Sequence, residues 1–312
     1  MAYLEKRTSF YLTEYGEAVR LARYDNGRIG VVTAEGIVDV TDAAGVDPLA
    51  WPPIDPTRLV ADFDRLRPAL ERAAAEGTPG PVSQVKLLTP IPWPNKVVAF
   101  PVNYHAHGAE MGAGYRATNQ GFFLKPNSSL SGAGEPVVLP DLPGREVHHE
   151  SELGIVIGKT ARNVARADWK DYVFGYACLL DMVVRGREER VARKAYDTFC
   201  PVGPWITTAD EVPDPTALRM RLWVDGELRQ DANTRDLVLD IPGMIEMASA
   251  VMTLYPGDVI ATGTPEGVGP VVAGNKIRIE IDHCGEMIVD VVQGTGGRAS
   301  MFEEPYQLVK KA

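Results

Sequence analysis

The stretch GTPGPVSQVKLLTPIPWPN, residues 77–95, brings Pro79, Pro81, Pro90, Pro92 and Pro94 close together. Proline lacks the N–H that helices and sheet ladders use, so no helix continues through this stretch and no central strand contains so dense a cluster. It marks a boundary between a small N-terminal β-rich unit, residues 1–90, and a main domain, residues 91–312. Before it, AVRLARYDNGRIGVVTAEGIVDV (18–40) alternates short apolar stretches with the turn signals Asp25-Asn26-Gly27 and Ala34-Glu35-Gly36, which predicts small antiparallel strands. From Thr57 to Glu76, Leu59, Val60, Phe63, Leu66 and Leu70 recur at helical spacing, and Pro68 predicts a kink or a break into two short helices.

After the boundary the chain reads as mixed α/β, predominantly β. Strands are predicted at Lys96 to Phe100, Phe122 to Lys125, Pro136 to Leu139, Glu150 to Ile157, Val173 to Leu180, Leu218 to Val224, Asp258 to Thr262 and Lys276 to Ile281. One helix is predicted to open at Asp240-Ile241-Pro242, with Pro242 suited to the first helical position and Ile241, Ile245, Ala248 and Met252 on one face. Arg185 to Tyr196 is the other helical candidate. No βαβ alternation and no internal repeat is present, which disfavours a Rossmann sheet or a TIM-type barrel.

Charge narrows the partners. The 312 residues hold 32 Lys and Arg against 42 Asp and Glu, a net charge of −10 that repels nucleic acid and anionic membranes. Cys178, Cys200 and Cys284 lie far apart without a C-x-x-C pair, as expected of a protein in the reducing cytoplasm. Residues 1–18 lack the continuous apolar core of a secretory signal, and the longest apolar run, Tyr172 to Leu180, is about half a membrane span.

Four segments carry chemistry. In His148-His149-Glu150-Ser151-Glu152 the two glutamates stand two apart, so a strand directs both to one face; such a pair either binds a hard cation or sits on a solvated edge in surface ion pairs. The run VFGYACLL ends at Asp181, either a cap or a third carboxylate ligand, and Arg185 can pair with that Asp or bind a substrate carboxylate. His107 and Glu110, three apart, are neighbours on a helix, where the carboxylate can orient the imidazole as a general base. The strand Asp258-Val259-Ile260-Ala261 runs into Thr262-Gly263-Thr264-Pro265-Glu266-Gly267, which lacks a phosphate-loop signature and reads as a tight turn or as a close backbone approach to a small ligand.

In order along the chain, NYHAHGAE, FFLKPNSSLSG, HHESELGIVIGK, VFGYACLLDMVVR, RKAYDTFCPVGPW and LYPGDVIATGTPEGVG resemble the fumarylacetoacetate hydrolase family, over residues 96 to 292. The resemblance implies a mixed β-roll preceded by a small N-terminal unit, and commonly a homodimer. It implies that Glu150, Glu152 and Asp181 ligate a divalent cation, usually Mg²⁺, with Mn²⁺ or Ca²⁺ as alternatives. It places His107 and Glu110 on a mobile lid, gives Lys194 a catalytic role, and assigns Arg185, Thr264 and Tyr104 to the substrate. The activity implied is hydrolysis of a C–C bond in an acylpyruvate or related 2,4-dioxo acid through a metal-stabilised enolate. Isomerisation or tautomerisation of an unsaturated 2-oxo diacid, or decarboxylation of oxaloacetate, uses the same enolate; a non-catalytic metal-binding dimer is the reading from another class. The chain departs from the family at Glu188, where many members have Gln, and the segment Asp181 to Lys194 is shorter and more charged than in many hydrolytic members.

Overall fold

Turns at Asp25–Gly27 and Ala34–Glu35 fold the N-terminal segment into an antiparallel trio, β1 (Arg20–Tyr24), β2 (Arg28–Thr33) and β3 (Gly36–Asp39). The computed structural model describes residues 19–110, 112, 114 and 116–302; residues 1–18, read above as lacking an export signal, lie outside it. The trio does not stand alone. Arg20 and Leu21 pair with Thr207 and Ile206, so these strands extend a larger mixed sheet made with β4 (Val97–Ala99), β5 (Phe123–Lys125), β6 (Ser151–Ile157), β7 (Val173–Leu180), β8 (Cys200–Thr208) and β9 (Val259–Ala261). The order across it is β3-β2-β1-β8-β7-β6-β9-β4-β5. Neighbours along this path run antiparallel except β9 with β4, which are parallel.

Every residue of β6, β7 and β8 is buried. Strands covered on both faces read as unbroken apolar runs rather than alternating ones, which is why GIVI and VFGYACLL stand out. On one face Leu153, Ile155, Cys178 and Leu180 enter the main core. A second sheet closes that core. Its order is Glu227–Asn233, Arg219–Val224, Lys276–Ile281, Gly285–Gln293 and Val137–Leu139, and it contributes Leu222, Ile279, Met287 and Val289. On the opposite face Ala177 and Leu179 pack with Val97, Ala99 and Val259. At the far end Val156, Phe174 and Ile206 meet the helices of the N-terminal segment.

Those helices are α1 (Asp55–Ala61) and α2 (Phe63–Glu76). The break falls at Asp62, and Pro68 is carried inside α2, because Leu59, Val60, Phe63 and Leu70 anchor both helices in the core. The short α3 (His105–Glu110) and α4 (Arg190–Lys194) serve the site described below, and α5 (Ile241–Val251) opens as expected, with the Asp240 carboxylate accepting from the Gly243 N–H at 3.1 Å. The predicted helix Arg185 to Tyr196 is shorter than its sequence suggested. The Arg185 N–H donates to the Glu146 carbonyl, prolonging the pairing of Val183–Val184 with Val147–His149, and residues 186–188 then bend before the helix opens at Arg190. Among the described residues, no helix is long and apolar enough to cross a membrane.

Candidate metal centre and active site

Strand register alone gathers the acidic residues. Ser151 pairs with Leu180 and Glu152 with Leu179, and the Asp181 N–H donates to the Glu150 carbonyl at 2.9 Å. Cross-strand partners share a face, as do residues two apart, so Glu150, Glu152 and Asp181 project together on the Leu179 side of the sheet. All three are buried, and one oxygen from each lies within 4.8 Å of the others.

Two lysines and one backbone amide answer this charge. Lys194 Nζ donates to Glu150 Oε2 (2.6 Å) and to Asp181 Oδ2 (2.5 Å). Lys125 Nζ donates to Asp181 Oδ1 (2.5 Å) and to the carbonyls of Lys194 (2.9 Å) and Phe199 (3.2 Å). The Gly263 N–H donates to Glu152 Oε2 at 2.7 Å, from a left-handed backbone (φ +92°) where a Cβ would meet the Asn103 Cβ at 2.6 Å, so only glycine places that donor. Burial works to raise the Glu150 pKa, but Lys194, His107 and Arg185 outweigh it and hold the carboxyl below its usual range. Glu152 goes the other way. Burial, and then the neighbouring Asp181 and Glu150 charges, push its pKa far up.

With Glu152 ionised, three buried carboxylates face two ammonium groups, and one negative charge is left for a bound cation to offset. An all-oxygen donor set of this kind suits a hard divalent metal ion. By charge and by donor chemistry, Glu150, Glu152 and Asp181 are a group that could hold a divalent cation. Glu152→Gln, which keeps the shape and cannot ionise, is expected to leave the metal-free protein as stable as wild type or more so. The same variant is expected to lose the thermal stabilisation that Mn²⁺ gives wild type, about 2.7 kcal/mol at roughly 100 times Kd. Differential scanning fluorimetry with and without Mn²⁺ checks both; an undiminished metal shift would remove Glu152 from the ligand set.

A cavity of about 230 Å³ opens over the carboxylates, lined also by His107, Phe123, Arg185, Lys194 and Thr264. From α3, His107 Nδ1 bonds Glu110 Oε2 at 3.1 Å, and Glu110 Oε1 accepts the Gly267 N–H at 3.2 Å. Burial works to raise the Glu110 pKa, but these two bonds and Arg185 pull it below the usual carboxylate range. Thr264 Oγ1 accepts from Gln230 Nε2 at 2.9 Å, so the threonine keeps its own proton for another acceptor.

Seven of the nine residues expected at the site thus line one cavity, and Glu110 stands directly behind His107. Tyr104 is placed elsewhere: it is almost fully buried in the main core and borders a separate surface recess with His105, Asp231 and Glu266. Glu188 turns away as well, its carboxylate held by Arg145 at 2.7 Å. Lys125 and Gln230 escape a reading of the sequence. Lys125 ends the strand FLK two residues after Phe123, so alternation puts it on the cavity side, the one signal that points to it. Gln230 lies in the polar strand ELRQDAN, where nothing marks it as the buried residue.

Buried carboxylates backed by lysines, under a cavity that carries a His–Glu pair and arginines, define a divalent-metal enzyme for a small anionic substrate. Residues 96–292 match the model of the fumarylacetoacetate hydrolase C-terminal domain, and the chain belongs to the fumarylacetoacetate hydrolase family. A maleylpyruvate hydrolase of Aquipseudomonas alcaligenes is 42% identical over 287 residues, 88% of this chain and 99% of that one. The maleylpyruvate hydrolase of Sphingobium sp. SYK-6, solved with manganese(II) and pyruvate, is 67% identical with a TM-score of 0.82, covering 88% of this chain and all of that one. A mitochondrial oxaloacetate decarboxylase of Dictyostelium discoideum is 41% identical over 196 residues, 60% of this chain and 88% of that one.

Proposed function

We propose that this chain hydrolyses a C–C bond of an acylpyruvate or related 2,4-dioxo acid, with maleylpyruvate the favoured substrate. The observation that carries this reading is the His107–Glu110 pair beside the carboxylate triad in a single cavity. A divalent cation held by Glu150, Glu152 and Asp181, Mg²⁺ or Mn²⁺, supplies Lewis acidity toward the adjacent carboxylate and keto oxygens of a 2-oxo acid. Glu110 accepts from His107 Nδ1, which leaves Nε2 as the free base facing the cavity. Nε2 takes a proton from water, and the hydroxide adds to the distal carbonyl carbon. The bond from that carbon to the methylene then breaks, its electron pair forming the enolate of the 2-oxo acid while the acyl part leaves as a carboxylic acid. Lys194, with its ammonium against Glu150 and Asp181, and Thr264, with its hydroxyl proton uncommitted, stabilise the developing oxyanion charge. Arg185 receives the 2-oxo carboxylate. Protonation of the enolate yields pyruvate.

Decarboxylation or tautomerisation of oxaloacetate is the second reading, favoured by the relative that carries the first of these activities. Three separate buried thiols fit a cytoplasmic location, and the family resemblance supports a homodimer. The test is the loss of acylpyruvate ultraviolet absorbance with Mn²⁺ or Mg²⁺, repeated with EDTA. Turnover is expected to require the metal; turnover that persists in EDTA would overturn the mechanism.

A further inference from the structure

The cavity carries more positive charge than one 2-oxo carboxylate needs. Besides Arg185, it is lined by Arg190 and Arg193 of α4. Glu188, just before α4, is committed to Arg145, and neither it nor Glu189 lines the cavity. Arg193 is fixed in place: Nε donates to the Glu188 carbonyl (2.8 Å) and Nη1 to the Val184 carbonyl (3.2 Å). Those bonds engage Nε and Nη1 and leave Nη2 without a protein acceptor among the described residues. Arg190 lies over the Phe123 ring at 5.4 Å, and Lys194 lies over the same ring at 5.7 Å, so one aromatic platform on the cavity wall carries both cations. Burial, and then the charges of Arg185 and Arg190, make the positive form of Arg193 harder to hold, against smaller help from Glu150 and Glu188. An arriving anion relieves that repulsion.

We propose that Arg193, with Arg190 beside it, receives a second carboxylate at the far end of the substrate, so that the site selects 2,4-dioxo acids that are dicarboxylates. This rests on the 2-oxo acid reading above, and it assigns to α4 a specificity role in the region where Glu188 replaces the usual Gln. The guanidinium is preset by its carbonyl bonds, so it offers Nη2 with little further loss of side-chain freedom on binding.

The experiment compares wild type, Arg193→Gln and Arg193→Lys, all loaded with Mn²⁺, on maleylpyruvate and on the monocarboxylate acetylpyruvate. For Arg193→Gln, kcat/KM is expected to fall about 30-fold on the dicarboxylate and less than about 3-fold on the monocarboxylate, with Arg193→Lys between. An equal fall on both substrates would make Arg193 only a brace for the loop 184–188, and no fall on either would place the second carboxylate elsewhere; both results overturn the proposal. Calorimetric titration with 2-oxopimelate and 2-oxoheptanoate, matched in chain length and lacking the scissile dioxo unit, reads the subsite without turnover. Wild type is expected to prefer the dicarboxylate at least about tenfold, and Arg193→Gln to lose that preference. If wild type hydrolyses neither dioxo acid but keeps the preference, the hydrolytic reading fails and the subsite stands; if it shows no preference, the subsite fails.

Discussion

Asp181→Ala is expected to abolish turnover and to lower the stability of the metal-free protein by about 3–5 kcal/mol, the range for removing one partner of a buried ion pair. Asp181 accepts from Lys125 with one oxygen and from Lys194 with the other, and all three side chains are buried. Without it Lys125 Nζ retains only two carbonyl acceptors, and Lys194 retains Glu150 as its acidic partner. A buried ammonium without its counterion is costly, because nothing in the interior replaces the water it has given up. Asp181→Asn keeps the volume and an acceptor oxygen, so it is expected to fall between wild type and Asp181→Ala in stability while losing metal binding as fully. Urea unfolding of the metal-free proteins measures the first effect and Mn²⁺ titration the second. If Asp181→Ala unfolds at the wild-type midpoint, the paired lysines do not depend on Asp181 for their burial.

The carboxylate triad was partly legible because alternation is local: Glu150 and Glu152 must share a face in any strand, whatever lies beside it. Asp181 was different. Its place opposite Glu150 is a property of the β6–β7 register, which the chain sets through the whole buried length of both strands. Lys125 was missed because a lysine at the end of a three-residue strand looks like a solvent-facing terminus; only the convergence of Asp181 and two carbonyls turns it inward. The helix read from Arg185 to Tyr196 failed at its start for a related reason, since Arg185 is claimed by the backbone of Glu146, distant in sequence. The proline-rich stretch marks a change of composition, yet Leu87–Leu88, free of proline between Pro81 and Pro90, pairs with Arg23 and Tyr24 of β1, and the sheet runs on through Arg20 and Leu21 to Thr207 and Ile206.

His107→Ala is expected to slow hydrolysis by about 10²–10⁴-fold, the usual contribution of a positioned general base. The metal-induced thermal shift should survive, because the proposed donors of the cation are Glu150, Glu152 and Asp181, whereas His107 is tied to Glu110. Loss of CO₂ from oxaloacetate generates the same kind of enolate without adding water, so any decarboxylase activity of wild type should be largely retained. Asp181→Ala is expected to remove both activities. The pair of variants therefore separates two functions within one cavity, water activation on α3 and enolate formation over the β6–β7 carboxylates. Glu110→Gln is expected to lie between wild type and His107→Ala in hydrolysis, since an amide oxygen can still accept from Nδ1–H but no longer stabilises the imidazolium by charge. If His107→Ala hydrolyses acylpyruvate at close to the wild-type rate, water is activated elsewhere and the His–Glu pair serves only to anchor α3 to Gly267.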